Sequence, residues 1–182
     1  KCFDYQILLK KNSLSIVLIL IIATCCTSLA SADTNMIRAE YDADMDGNLD
    51  TIATYTYDSN GNRLSQTTDS DGDGNTDSIR TYTYDSNGNM LNNSYDNNAD
   101  GIVDSIITYT YDSNGNRIGY FSDTDADGDS DTIITYTYDS NGNQLSENWD
   151  YFADGSINMI FEYTYDSNNN KLSESYDYDG DG

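Results

Sequence analysis

Proline and histidine are absent from the 182 residues, and the three cysteines, Cys2, Cys25 and Cys26, all lie near the N-terminus. Basic residues are scarce, eight against 32 acidic ones, and only one long apolar run occurs. Each gap excludes something. Without histidine, and without cysteine beyond Cys26, the body of the chain has no means for disulfides, the usual zinc sites or Cys- and His-based catalysis. The formal net charge of −24 argues against nucleic acid as a partner, because its phosphates would be repelled. No helical apolar period appears after Asp33, and the lack of proline favours strands.

The apolar run belongs to the leader. Lys10 and Lys11 precede Leu14 to Ala23, and small residues follow up to Ala30-Ser31-Ala32. This order reads as a secretory signal over residues 1–32, cleaved before Asp33, and the run is short for a membrane span. Cys25 and Cys26 raise lipid attachment, but Thr24 fits such a site poorly and ordinary cleavage is favoured. The chain opens on Lys1 and ends inside an acidic segment at Gly182, which reads as a piece of a longer reading frame. Beyond residue 32, five basic residues face 31 acidic ones, a net charge of −26.

What the chain does have is a 27-residue repeat over residues 33–182. One half reads Tyr-Thr-Tyr-Asp-Ser-Asn-Gly-Asn from Tyr55, Tyr82, Tyr109 and Tyr136, with Asn169 in place of glycine in the copy from Tyr163. The other half is acidic and starts at Asp42, Asp69, Asp96, Asp123, Asp150 and Asp177. A fixed period of this length signals an array in which each unit buries its face only against its neighbours. Strong acidity alone would suggest disorder. Tyrosine at the same two positions in five consecutive units argues for a folded scaffold.

Asn60-Gly61 and its copies are two-residue hairpin signals, both positions tolerating positive φ. Pairing outward from that turn sets Asp58 against Arg63 and Tyr57 against Leu64, so the face of Tyr55, Tyr57, Leu64, Leu91, Ile118, Leu145 and Leu172 is expected to be the packed one. Ile52, Thr54 and Thr56 fall on the other face. Either both faces are partly covered or a bulge switches the alternation before Thr54. The expected fold is all-β: an antiparallel hairpin repeat array of roughly ten strands, a coiled single sheet or solenoid-like.

Tyr55-Thr56-Tyr57-Asp58-Ser59-Asn60-Gly61-Asn62-Arg63-Leu64 and its four later copies resemble the YD repeats of the RHS family of bacterial surface and secreted proteins. The resemblance implies a β-hairpin that builds a long coiled sheet in an exported, extracellular or cell-surface protein. The unit departs from the family pattern in its acidic insert, and Arg63 becomes Met90 and Gln144 in other copies, so a closed shell and toxin delivery are not carried over.

Counting from the first aspartate, Asp42, Asp44, Asp46 and Asp50 occupy positions one, three, five and nine of a loop with Gly47 at six. Calcium takes six to eight oxygen ligands, and short carboxylates alternating around a glycine turn can wrap one ion. Asp69, Asp71, Asp73 and Asp77 repeat the set, as do Asp123, Asp125, Asp127 and Asp131. Asp96, Asn98, Asp100 and Asp104 keep oxygen at each position with one charge fewer. Phe152 and Asn158 make the loop from Asp150 the weakest, and Asp177, Asp179 and Asp181 open a sixth. These loops resemble the calcium loops of EF-hands, dockerins and thrombospondin type 3 repeats, taken without flanking helices. Position twelve, where the EF-hand has a bidentate glutamate, holds Ala53, Arg80, Ile107, Ile134 or Phe161. Affinity is therefore expected in the weak extracellular range of about 10⁻⁴–10⁻³ M. The competing reading is a set of solvated Asp/Gly/Asn turns. Two carboxylates ~5 Å apart repel by on the order of 3 kcal/mol at an effective dielectric near 20, which weighs against it.

The expected function is a secreted or cell-surface structural repeat protein that binds calcium and folds on export, with no enzymatic activity, no nucleic-acid partner and no membrane span in the mature chain. Repeating carboxylates do not make the single site an enzyme requires. The alternative is a carbohydrate-binding adhesin using Tyr41, Tyr95, Trp149 and Tyr176, with cell-surface glycans or other surface proteins as partners. Ice binding through the repeated Thr54-Tyr55-Thr56 pattern is the weakest rival.

Overall fold

The computed structural model describes residues 20–23 and 35–180. Most of the leader, the cleavage position before Asp33, Cys25 and Cys26 lie outside them, as does Asp181. The described elements are all strands: β1 (Leu20–Ala23), β2 (Asn35–Tyr41), β3 (Thr51–Tyr57), β4 (Arg63–Asp69), β5 (Ser78–Tyr84), β6 (Met90–Asp96), β7 (Ser105–Tyr111), β8 (Arg117–Asp123), β9 (Thr132–Tyr138), β10 (Gln144–Asp150), β11 (Met159–Tyr165) and β12 (Lys171–Asp177). The chain divides into one unit of Lys1–Thr83 with Tyr95–Val103, and a second of Tyr84–Ser94 with Asp104–Gly182. Within each unit, neighbouring strands follow chain order and pair antiparallel. This is the expected hairpin repeat array. Acidic loops join β2 to β3 and β4 to β5, and tight turns join β3 to β4 and β7 to β8.

The turn differs from the two-residue form. Gly61 N–H donates to the Asp58 carbonyl (3.2 Å) and Asp58 N–H to the Asn62 carbonyl (2.9 Å). Of the turn residues only Gly61 has positive φ, +87°. This is the three-residue hairpin loop with one left-handed residue that doubles a position in the returning strand. Tyr57 accordingly pairs with Arg63 rather than Leu64, after a register shift that follows Thr56 opposite Ser65. The Asp58 carboxylate sets this geometry, accepting the Asn60 and Asn62 N–H groups (2.9 and 2.8 Å) and Asn62 Nδ2 (2.9 Å). Asp85, Asp112, Asp139 and Asp166 do the same in their turns. The side-chain bond from Asn62 is the main reason the Asp58 carboxyl is held below its ordinary range. Its contribution to stability is therefore present above the ordinary carboxylate value and is lost only as pH falls through the lower folded one. In the last turn Asn169 takes the left-handed position at φ +64°.

The shifted register takes the aliphatic residues out of the expected packed face but leaves the first tyrosine of the motif in it. Leu91, Ile118 and Leu145 are 37–38% exposed and Leu172 is 67% exposed. Among the described residues the buried apolar ones are Ala39, Ala53, Tyr82, Ile134 and Tyr136, and the two tyrosines are copies of Tyr55. Arginine does the covering: Arg63 lies over the Tyr55 and Tyr82 rings (5.9 and 4.5 Å), and Arg117 over Tyr109 and Tyr136 (5.8 and 4.8 Å). The second tyrosine of the motif reaches the preceding hairpin, with Tyr111 Oη donating to the Met90 carbonyl and Tyr138 Oη to that of Arg117, each 2.9 Å. On the other face, Thr56 meets Ser65 (2.6 Å) and Thr137 meets Ser146 (2.7 Å). Pairing from Ile52 to Thr56 is continuous, so no bulge precedes Thr54. Ile52, Ile79, Ile106, Ile133 and Ile160 are half-buried, and both faces are partly covered.

Candidate metal sites

Each acidic loop is a chain of carboxylate-to-backbone hydrogen bonds. The position-one carboxylate accepts the N–H of the glycine at six: Gly47 to Asp42 (3.0 Å), Gly74 to Asp69 (2.9 Å), Gly101 to Asp96 (2.9 Å), Gly128 to Asp123 (3.0 Å) and Gly155 to Asp150 (2.8 Å). Position five accepts the N–H of position seven, as in Asn48 to Asp46 (2.8 Å) and Asn75 to Asp73 (2.7 Å). Position nine reaches back to position two: Ala43 N–H to Asp50 (2.6 Å), Ser70 to Asp77 (2.6 Å) and Thr124 to Asp131 (2.7 Å). Position four is left-handed in every loop, at Met45, Gly72, Ala99, Ala126, Ala153 and Gly180. Side-chain polarity and two left-handed residues thus shape the loop.

Among the described residues, three loops also converge their charge. Asp42, Asp44 and Asp50 each bring a carboxylate oxygen within 4.8 Å of the others, as do Asp69, Asp71 and Asp77, and Asp123, Asp125 and Asp127. These are the three loops with a complete expected set. Asp46 and Asp73 lie outside their triplets; hydrogen bonds from the backbone and side chain of Asn48 and Asn75 respectively hold their carboxyls below the ordinary range. Asp131 stands outside the third triplet, lowered by the Thr124 hydroxyl and then by its N–H. Asn98 donates to Asp100 (3.1 Å) and Asp100 N–H to Asn98 (3.1 Å), while Asp104 belongs to the other unit. Asp177 accepts the Asp179 and Gly180 N–H groups (3.2 and 3.0 Å).

One oxygen in each of two triplets has no protein partner. Asp42 Oδ1 and Asp123 Oδ1 are buried and accept no hydrogen bond, although Asp123 is only 8% exposed. A buried carboxylate oxygen without a donor is costly. Asp150, 4% exposed, shows the contrast: Phe152, Asp154 and Gly155 N–H groups satisfy both its oxygens. In that loop Asn158 replaces the position-nine carboxylate and accepts Tyr151 N–H at 2.8 Å. The same backbone therefore forms without charge at positions three and nine. Folding of the loop does not explain why the other loops keep their carboxylates together. The missing twelfth ligand is explained, because Ala53 and Ile134 at that position are strand residues, 5% and 4% exposed in the packed face.

The aromatic positions are distributed differently from the expected row. Arg80 covers Tyr95 (4.4 Å), and Phe161 meets Tyr176 edge-on (5.2 Å). Trp149 instead joins Tyr151 (5.6 Å) in an open groove of about 530 Å³ with Tyr120, Tyr136, Ile134, Arg117 and Glu147. Trp149 Nε1 donates to Glu147 (2.8 Å) and Arg117 to Tyr136 Oη (3.1 Å). Tyr120 stands outside the repeat pattern, whereas Tyr151 recurs one period later as Tyr178, which stacks on Tyr176 (6.3 Å).

Strand order, bulged turns and flanking strands rather than helices define the class: an antiparallel β-hairpin repeat protein. No family model and no curated protein matches the sequence. Among solved structures, the chain is similar to TcdB2-TccC3. The form without its hypervariable C-terminal region has 21% identity and a TM-score of 0.56 over 82% of this chain. TcdB2-TccC3-TEV has 18% and 0.53 over 87%, and TcdB2-TccC3-Cdc42 has 18% and 0.52 over 79%. The chain spans 7–9% of those chains, and the likeness is one of fold.

Proposed function

We propose that this chain is a calcium-binding structural repeat scaffold of an exported, extracellular or cell-surface protein, without catalytic activity of its own. The observation that carries the reading is the pair of buried, unpartnered oxygens, Asp42 Oδ1 and Asp123 Oδ1, each within a carboxylate triplet. A hard dication supplies the missing partner, with remaining positions filled by backbone carbonyl and water. The leader-like N-terminus and the RHS-like fold support an exported location. Isothermal titration is expected to find about three to five sites of sub-millimolar to millimolar affinity, filled last or not at all at the Asp150 loop. Replacing Asp71 and Asp73 together by Ala removes about one site. Absence of calcium uptake at a few millimolar would return the loops to plain turns.

The groove around Trp149 favours a second reading, binding of a glycan. Its aromatic faces suit sugar rings, and Arg117 and Glu147 balance each other's charge beside them. Loss of glycan-array binding in Trp149→Ala supports this reading; the absence of any binding in the unmodified chain removes it.

A further inference from the structure

Loop 1 (Asp42–Asp50) and loop 2 (Asp69–Asp77) touch through backbone. A Cβ built on Gly72 would stand 1.7 Å from the Leu49 carbonyl oxygen and 2.7 Å from its carbon. Only a residue without a side chain permits this approach. Gly72 N–H also donates to Asp69 Oδ1 at 2.7 Å, and Leu49 is bonded to Asp50. One short path therefore runs from a carboxylate of the first triplet to one of the second. A parallel path exists: Thr51 Oγ1 donates to the Ser70 carbonyl (3.4 Å), and Ser70 N–H donates to Asp77 (2.6 Å). Asp50, Asp69 and Asp77 are all members of the two triplets.

We propose that loops 1 and 2 bind calcium as a positively coupled pair, an inference that rests on the calcium reading above. An ion in one loop fixes Leu49 and Thr51, or Gly72 and Ser70, and so orders ligands of the other in advance. The opposing effect is repulsion between the two ions. Loops separated by two strand spacings lie about 10 Å apart, beyond one Debye length at physiological salt, so this repulsion weakens the second binding by only about two-fold. Coupling through a shared packed contact is commonly five-fold or more, and it sets the sign.

The experiment is a calcium titration of the chain followed at the Gly47 and Gly74 amide resonances, one in each loop, alongside calorimetry. The two resonances are expected to move together with a Hill slope above one. Asp71→Asn, which weakens loop 2, lowers the affinity read at Gly47 about five-fold or more. Gly72→Ala forces the loops apart and separates the two transitions. Gly61→Ala is the control, placing a side chain at φ +87° in the hairpin turn between the two loops with nothing within 4 Å, and it keeps the transitions joined. If Asp71→Asn leaves the Gly47 transition within two-fold, the coupling is wrong while the calcium reading stands. If the unmodified chain takes up no calcium, both are wrong.

Discussion

Tyr136→Ala is expected to lower the stability of the second unit by about 3 kcal/mol, the lower end of the cost of removing a buried aromatic ring. Tyr136 is 7% exposed, and Arg117 covers its ring and hydrogen-bonds its hydroxyl. Burial is the main reason its phenol is pushed up from the ordinary value. None of the described side chains is fully buried, so water and neighbours can fill part of the gap, which keeps the loss from being larger. Against a typical domain stability of about 5–15 kcal/mol the effect is still severe. Tyr136→Phe keeps the ring and loses the hydroxyl bond, costing about 1 kcal/mol. Ile118→Ala, at a position 38% exposed, changes stability by less than about 1 kcal/mol. Urea unfolding followed by far-UV circular dichroism reads all three. Equal losses for Tyr136→Ala and Ile118→Ala would mean that the tyrosine face is not the packed one.

That contrast marks where the residues alone were legible. The 27-residue period, strand chemistry and hairpin positions follow from composition and spacing, and the strands fall where the register puts them. The turn type does not follow from Asn-Gly by itself. An aspartate two residues before Asn60 supplies three hydrogen bonds that favour a single left-handed residue, and the resulting doubled position moves every leucine relative to its expected partner. A pattern of alternating residues cannot show that shift, because the deciding interaction is between a side chain and backbone. Cation–π covering by Arg63 and Arg117 was hidden for a related reason. In a chain this acidic, the few basic residues invite pairing with carboxylates, yet the two arginines lie on tyrosine rings. At the loops, position one and the glycine at six were legible because each has one sterically defined task. Which carboxylates meet was not. Positions one, three and nine converge in the first two loops, whereas positions one, three and five do so in the loop from Asp123, where Thr124 captures Asp131.

Calcium is expected to change the protease resistance of the chain loop by loop, with the Asp150 loop as an internal standard. At ~2 mM calcium and a dissociation constant of ~0.1 mM, each occupied site gains about 1.8 kcal/mol by mass action. Three such sites together reach about 5 kcal/mol, comparable to the whole stability of a modest domain. At micromolar calcium the gain nearly vanishes, and the converging carboxylates of the three triplets repel one another. The loops at Asp42, Asp69 and Asp123 should then open first, while Asp58 and its counterparts keep the hairpin turns closed by hydrogen bonds that need no ion. A chain in this state suits passage through a secretion channel, and external calcium would close the loops after export. An Asp-directed endoprotease is expected to cut at those three loops in excess chelator and to spare them in calcium. Chymotryptic cleavage at Phe152, 75% exposed in a loop whose first carboxylate is already satisfied, should proceed at similar rates in both. Equal cutting of all loops with and without calcium would show that the ion does not govern their closure, and the scaffold would then stand on its tyrosine face and turn hydrogen bonds alone.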